Sequence, residues 1–283
     1  SDVCSSDLPQ WLVDRRVAAA ERLADVTWPT SAEEIWRYSR IDELDLSAFR
    51  PVSFEELGPP GIERAPGGGP WAFEAGARSA LVVVRDGRVV HHEVDPVLEE
   101  QGVRVCGLAT CDCDDLIETA LGSCSSASED AFTVLHDAFL PGGALISVPK
   151  GVVVERPIVV LHWGEGDGLA SFPHTLVVAG ENSEVTVLER FGSPETRHLV
   201  NAVTELVLDD NARVRYLSVQ EHGSQTWHIG LQRAHLGRDA SLRSGAVALG
   251  GDNARLRSEA WLGGQGASSD LLRSEEHTSE LQS

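Results

Sequence analysis

The sequence predicts a mainly β fold: a parallel β-helix, a solenoid of stacked coils, preceded by an N-terminal helical region. Three observations carry this. A turn motif recurs through the C-terminal third at near-fixed spacing, the stretches between its copies alternate apolar and polar residues, and no helical pattern interrupts them. Gly180-Glu181-Asn182-Ser183-Glu184-Val185 aligns with Asp209-Asp210-Asn211-Ala212-Arg213-Val214, with Gly237-Arg238-Asp239-Ala240-Ser241-Leu242 and with Gly251-Asp252-Asn253-Ala254-Arg255-Leu256. The copies start 29, 28 and 14 residues apart, and Gly264-Gln265-Gly266-Ala267 follows 13 further on. The small Ser or Ala after each turn is expected inside the corner of a coil. An antiparallel sandwich with coincidental turn spacing is the alternative.

The two ends read as foreign to the rest. Codons can be written for Arg273 to Ser283 whose complementary strand, in a shifted frame, spells Ser1 to Asp7 and opens a codon that fits Leu8. One short duplex encodes both ends, so residues 1–8 and 273–283 are expected to be adapter-derived and are set aside in reading the fold. The informative chain is then 9–272, cut at both ends. A fragment ending there is expected to expose apolar strand edges at Trp261, Leu262, Leu271 and Leu272 and to behave poorly in solution.

From Pro9 to Thr27 alanine and charge dominate, with Leu12, Val13, Val17 and Leu23 at helical spacing, so this stretch is expected to be a helix. Ser31 and Glu34 have the spacing of a capping box that would open a second one, giving a helical region over 9–50. Residues 51–79 are rich in proline and glycine and read as a linker. The β-strand core is expected over 80–272. It opens with two valine-rich runs joined by Asp86-Gly87, a hairpin signal, and continues through strands broken at Pro149 and Pro157. Two short helices, 108–121 and 129–140, interrupt it.

A formal charge of −21 argues against unaided binding to nucleic acid or an anionic membrane, because phosphate contacts need basic patches. No apolar run approaches the roughly 20 residues of a spanning helix. Methionine is absent and Lys150 is the only lysine, a compositional bias with no mechanistic content. Cys106, Cys111, Cys113 and Cys124 crowd one short stretch, whereas a disulfide framework staples distant segments; a reducing cytoplasm is the simpler expectation.

That cysteine cluster is the tempting site for chemistry. Its spacing comes near the plant-type [2Fe–2S] pattern without matching it. On a helix Cys111 and Cys113 would face different sides, and Asp112, Asp114 and Asp115 would discourage thiolates, so ordinary partly buried thiols are expected. His162, His174, His198, His222, His228 and His235 form no helical metal pair, although stacked strands could bring some together. No phosphate loop follows the glycine runs and no nucleophile elbow occurs. Acidic residues are many, but none is singled out as the pair a glycosidase needs. No catalytic residue and no metal ligand is therefore assigned.

Five segments, in order, resemble the SufB/SufD family of the bacterial SUF iron–sulfur cluster assembly system, its SufD branch in particular. They are Pro9-Gln10-Trp11 with Arg15-Arg16, Glu34-Ile35-Trp36-Arg37-Tyr38-Ser39, Asp130-Ala131-Phe132 through Ala138-Phe139, Val148-Pro149-Lys150-Gly151 with Glu155-Arg156-Pro157-Ile158, and Leu249-Gly250-Gly251 with Arg255. The resemblance implies a right-handed parallel β-helix flanked by helices. It implies a cytoplasmic, non-catalytic scaffold that pairs with a SufB-like subunit through the β-helices and binds a SufC-like ATPase through a C-terminal region missing here. Sulfur would come from a cysteine desulfurase, and the cluster would sit transiently on the full complex, with no cofactor held by this fragment alone. The family's cluster-forming positions lie in the missing part, so no site residue is carried over. A SufB-like paralogue, a β-helix enzyme acting on carbohydrate and a Cys/His metal module are the other readings.

Overall fold

The computed structural model describes residues 8–37, 39–53, 56, 77–124 and 130–275. Most of both terminal segments, most of the linker and Tyr38 of the Glu34–Ser39 motif therefore lie outside the described residues.

The helical prelude is α1 (Gln10–Leu23), followed by three short 3-10 turns, of which Glu34–Trp36 is the first. Leu12 is buried, whereas Val17 on the opposite side of α1 is 54% exposed. The expected capping box does not form. Ser31 bonds through its backbone N–H and its hydroxyl to the Asp42 carboxylate, and Glu34 starts a single turn that ends once Trp36 reaches the core. The chain then reaches β1 (Arg50–Pro51), which pairs with β7 (Leu169–Ser171), so the segment expected to be linker begins as a sheet edge.

The hairpin at Asp86-Gly87 joins β2 (Ala80–Arg85) and β3 (Arg88–Val94). Both turn residues have positive φ, 49° and 91°, as a two-residue hairpin of the favoured twist requires. The short helix α2 (Pro96–Glu100) and β4 (Arg104–Gly107) follow. Of the two expected helices, the first is shorter than its pattern suggested. Residues 108–113 form turns, and α3 spans only Asp114–Ala120, while α4 covers Ala131–Phe139 with Asp130 capping it by accepting from the Thr133 N–H at 2.9 Å.

Five coils make up the solenoid. Each contributes one strand to a first sheet and one to a second. The pairs are β5 (Ala144–Val148) with β6 (Ile158–Trp163), β8 (His174–Ala179) with β9 (Glu184–Gly192), β10 (His198–Leu208) with β11 (Arg213–Glu221), β12 (Thr226–Leu236) with β13 (Ser241–Ala248), and β14 (Asn253–Leu262) with β15 (Ser268–Glu275). Every coil-to-coil pairing is parallel; among the described strands only β2–β3 and β4–β5 are antiparallel.

The repeat seen in the sequence is the coil itself. Glu184, Arg213, Ser241 and Ser268 stand in register across β9, β11, β13 and β15. At the corner before each strand, Asn182, Asn211 and Asp239 adopt left-handed φ of 57° to 59°, and Gly266 takes the same place with φ 77°. The following Ser183, Ala212 and Ala240 are buried, as the pattern predicts. The Asn211 side-chain amide donates to the Asn182 oxygen at 2.7 Å, linking corner to corner. Asp209 opens one corner, but at Gly237 stacking leaves no room for a side chain: a Cβ there would lie 2.8 Å from the backbone nitrogen of Asp210. The 14-residue step has a simple origin. Gly251-Asp252-Asn253-Ala254 is the opposite corner, where β13 turns into β14, half a coil away.

The final strand runs on to Glu275, pairing Arg273, Ser274 and Glu275 with Ala246, Val247 and Ala248. Trp261, Leu262, Leu271 and Leu272 on the last coil are 66%, 52%, 41% and 75% exposed, as expected of those four positions.

Candidate functional site

Alternation sends every second residue of a coil strand into the lumen. On β9 the inward set is Val185, Val187, Glu189 and Phe191, and all four are buried. Along the strand direction the lumen therefore changes character. Near the Asn182 corner it is aliphatic, built from residues such as Val185, Val214, Leu208, Leu236 and Leu242. Toward the other corner it is polar. Glu189 is fully buried there, and one carboxylate oxygen lies 2.7 Å from His162 Nε2 and accepts from the Thr175 hydroxyl at 2.5 Å. The second oxygen accepts from Thr204 at 2.9 Å and from the Tyr216 hydroxyl. Burial opposes the charge on Glu189, but the bonds from His162, Thr175 and Tyr216 outweigh it and hold the carboxyl below its usual range. Burial and the adjacent carboxylate push the Tyr216 phenol well up.

The aromatic layer beside this carboxylate is made of histidines. His162 stacks on Phe191 with ring centres 4.4 Å apart, and Phe191 meets His228 edge-on at 5.0 Å. His228 Nδ1 lies 3.0 Å from His222 Nε2. Desolvation keeps both neutral at ordinary pH: His228 is lowered to about 4 and His222 lies well below its normal value. A cavity toward the last coils borders this network at Thr204, Tyr216 and His228 but is lined mostly by apolar groups, among them Phe191, Leu231 and Leu256.

A second network lies on the outer face of the first sheet, roofed by helices. The His136 ring on α4 contacts the Asn201 carbonyl at 2.9 Å through Nδ1 and His174 Nδ1 at 3.1 Å through Nε2. His174 in turn stands 4.0 Å from Glu205, whose carboxylate accepts from the Gly122 N–H at 2.7 Å. Arg15 on α1 pairs with Asp137 on α4 at 3.0 Å. Burial lowers His136 to about 4 and raises Glu205 and Cys124, the thiol to about 12.

The Glu34–Ser39 motif has a mechanical role in this roof. Trp36 is buried against Phe132 and Ile229, and the Arg255 guanidinium sits 3.6 Å from its ring centre while donating to the Ile35 carbonyl at 3.0 Å. Arg40 reaches Asp252 at 3.1 Å and lies over Trp227. The N-terminal arm thus clasps the fourth and fifth coils.

Of the six histidines of the strand region, His162 and His228 flank Phe191, and His222 joins them through His228. His198 sits apart against Ser171, His174 belongs to the outer network, and His235 stands on the outward phase of β12. Among the described residues no group of three or more His, Cys, Asp or Glu is placed to hold a metal ion. The cysteines differ from expectation. Cys106 and Cys111 form a disulfide, and Cys111 and Cys113, which precede α3, point the same way with their sulfurs 3.0 Å apart. Sequence reading missed Glu189, Tyr216, His136 and Glu205. For Glu189 a signal existed, since in EVTVLERF it falls on the same phase as Val185 and Val187.

A parallel β-solenoid with a helical roof and a half-polar lumen places the chain among stacked-coil solenoid proteins. Two adjacent family descriptions match it in order: the SufBD protein N-terminal region over residues 76–160, and the SufBD core domain of the SUF iron–sulfur cluster assembly system over 162–275. The chain belongs to the SufBD family. It is 27% identical over 248 residues to the iron–sulfur cluster assembly protein SufD of Bacillus subtilis, covering 83% of this chain and 54% of that protein. An iron–sulfur cluster assembly SufBD family protein of Staphylococcus epidermidis is 23% identical over 252 residues, covering 83% of this chain and 52% of its own length. One of Staphylococcus aureus is 24% identical over 243 residues, with 80% and 50% covered. The chain thus spans about half the length of the curated relatives it matches. Among the described residues no helix is long and apolar enough to cross a membrane.

Proposed function

We propose that this chain is the N-terminal and solenoid part of a SufD-like scaffold subunit of an iron–sulfur cluster assembly complex. The observation that carries the reading is the ordered match of the SufBD N-terminal region, over the hairpin, helices and first coil, and of the SufBD core, over the coils that follow. In this reading the subunit turns nothing over by itself. It pairs with a SufB-like subunit through the β-helices, and a SufC-like ATPase docks on a region beyond the matched half. The cluster is cargo, assembled with sulfur from a cysteine desulfurase and held transiently by the whole cytoplasmic complex. The helical roof supports such a role because it spends one sheet face on internal packing. On the outer face of the second sheet Leu81, Val83, Val159 and Leu161 are buried near the first coil, whereas Arg213, Arg215 and Arg243 are exposed along the later coils.

The test is co-expression of the full-length parent protein with SufB-like and SufC-like subunits, followed by size-exclusion chromatography and mass determination. A complex containing all three, with the heterodimer preferred over a homodimer, is expected. Failure to associate with either subunit, or turnover of a polysaccharide by the isolated protein, would overturn the reading.

A further inference from the structure

The cysteine cluster has no part in the two networks above, yet its sulfurs lie closer together than packing requires. Cys106 sits on β4, opposite Leu145 of β5; Cys111 ends the turn after it; Cys113 directly precedes α3. The disulfide joins Cys106 to Cys111, and the free thiol of Cys113 lies 3.0 Å from the Cys111 sulfur. All three residues are only partly buried, and they pack at the rim of the apolar cluster built around Leu108, Ile117 and Leu145.

As a staple this disulfide does little. Cross-linking stabilises mainly by restricting the unfolded chain, and the effect shrinks with the loop enclosed; here the partners are five residues apart. A third sulfur in contact with one member of the pair has no staple function at all. It has the placement of an attacking nucleophile.

We propose that Cys106, Cys111 and Cys113 form a thiol–disulfide exchange site whose substrate is a dithiol, with Cys111 the sulfur shared between two alternative disulfides. In the internal step the Cys113 thiolate attacks Cys111 Sγ. The Cys111–Cys113 bond forms, the Cys106–Cys111 bond breaks, and Cys106 leaves as a thiolate that takes up the proton Cys113 gave away. Nothing is oxidised or reduced overall. In the external step a thiolate of the dithiol attacks the disulfide and forms a mixed disulfide, which its own second thiol resolves. The dithiol loses two electrons and becomes a disulfide, and the two cysteines freed here gain them as thiols. The flanking Asp112 and Asp115 are exposed, so dithiols carried among basic residues are favoured over acidic ones. In a reducing compartment such a disulfide is a transient, working one rather than a structural one.

The test is differential alkylation of the full chain in a glutathione redox buffer, read residue by residue by fragmentation mass spectrometry. Buried Cys124 serves as the fold monitor and must stay unlabelled. The expected result is Cys111 protected in every oxidised molecule, with the free thiol divided between Cys113 and Cys106 so that the two fractions sum to one. The Cys106→Ser variant is expected to protect Cys111 and Cys113 together, and Cys113→Ser to keep the Cys106–Cys111 pair. Label confined to Cys113 in the unaltered chain, label on all three sulfurs, or two free thiols in Cys106→Ser would each overturn the proposal.

Discussion

Acidification from pH 7.5 to 5 should loosen the solenoid through its buried histidines, and His228 allows the size of the effect to be worked out. In the folded chain its value is lowered to about 4 by burial, with the His222 ring 3.0 Å away and Glu189 and His162 nearby. In the unfolded chain it returns to roughly 6.5. The folded value is the lower one, so between the two the unfolded chain binds a proton the folded chain does not, and stability falls as pH falls. At pH 5 that difference amounts to about 2 kcal/mol from this one ring. Asp86 works in the opposite sense. Burial pushes it up to about 7, so its contribution rises as pH falls, and the pH profile of the whole protein mixes the two. The measurement is therefore a double difference. Urea unfolding of the unaltered chain and of His228→Gln, at pH 7.5 and 5.0, should show the variant losing about 2 kcal/mol less on acidification. Equal losses, within about 0.5 kcal/mol, would refute the assignment of His228 as a neutral buried ring.

The same experiment on His136→Gln should give a similar difference, since that ring is also lowered to about 4, and should leave the His228 effect unchanged because the two networks share no partner. Glu189→Ala strands His162, Thr175, Thr204 and Tyr216 in the lumen and should cost about 3–5 kcal/mol in urea unfolding; a loss below about 1 kcal/mol would show that those groups find other partners. Asn211→Ala, at a left-handed corner with φ 57° and a bond to Asn182, should lower stability by about 1–2 kcal/mol, and Asn211→Gly by less. Trp36→Ala should cost about 3–5 kcal/mol and open the N-terminal arm to trypsin at Arg37 and Arg40; an unchanged cleavage pattern would mean the clasp is not held by the Trp36–Arg255 contact.

Much of the fold was legible because a solenoid writes its coil into the chain as a period. The three middle corners each use a left-handed residue and a small buried one, so Asn182, Asn211 and Asp239, each followed by Ser or Ala, recur along the chain. The hairpin at Asp86-Gly87 was legible for a similar local reason. Residues 108–113 and Ser31 were misread because their partners fall outside the one-turn spacing that the helix and capping-box patterns consider. Ser31 prefers the Asp42 carboxylate to its own helix, and the turn before α3 is shaped by Cys106 on the neighbouring strand.

By itself, then, the sequence determined the coil length, the corner residues and the alternation that selects which side chains enter the lumen, because each depends on residues adjacent along the chain. It also held the five segments that resemble the SufB/SufD family. Tertiary structure alone decided which inward residues meet. Glu189 reaches His162 and Tyr216, each 27 residues away, because stacking places a residue beside those one coil before and after it. His136 meets His174 across 38 residues only because α4 lies on the first sheet. Cys113 touches Cys111 only because the chain turns, instead of coiling, ahead of α3. Side-chain chemistry is written locally, but the distances between reacting groups are set by how the coils stack.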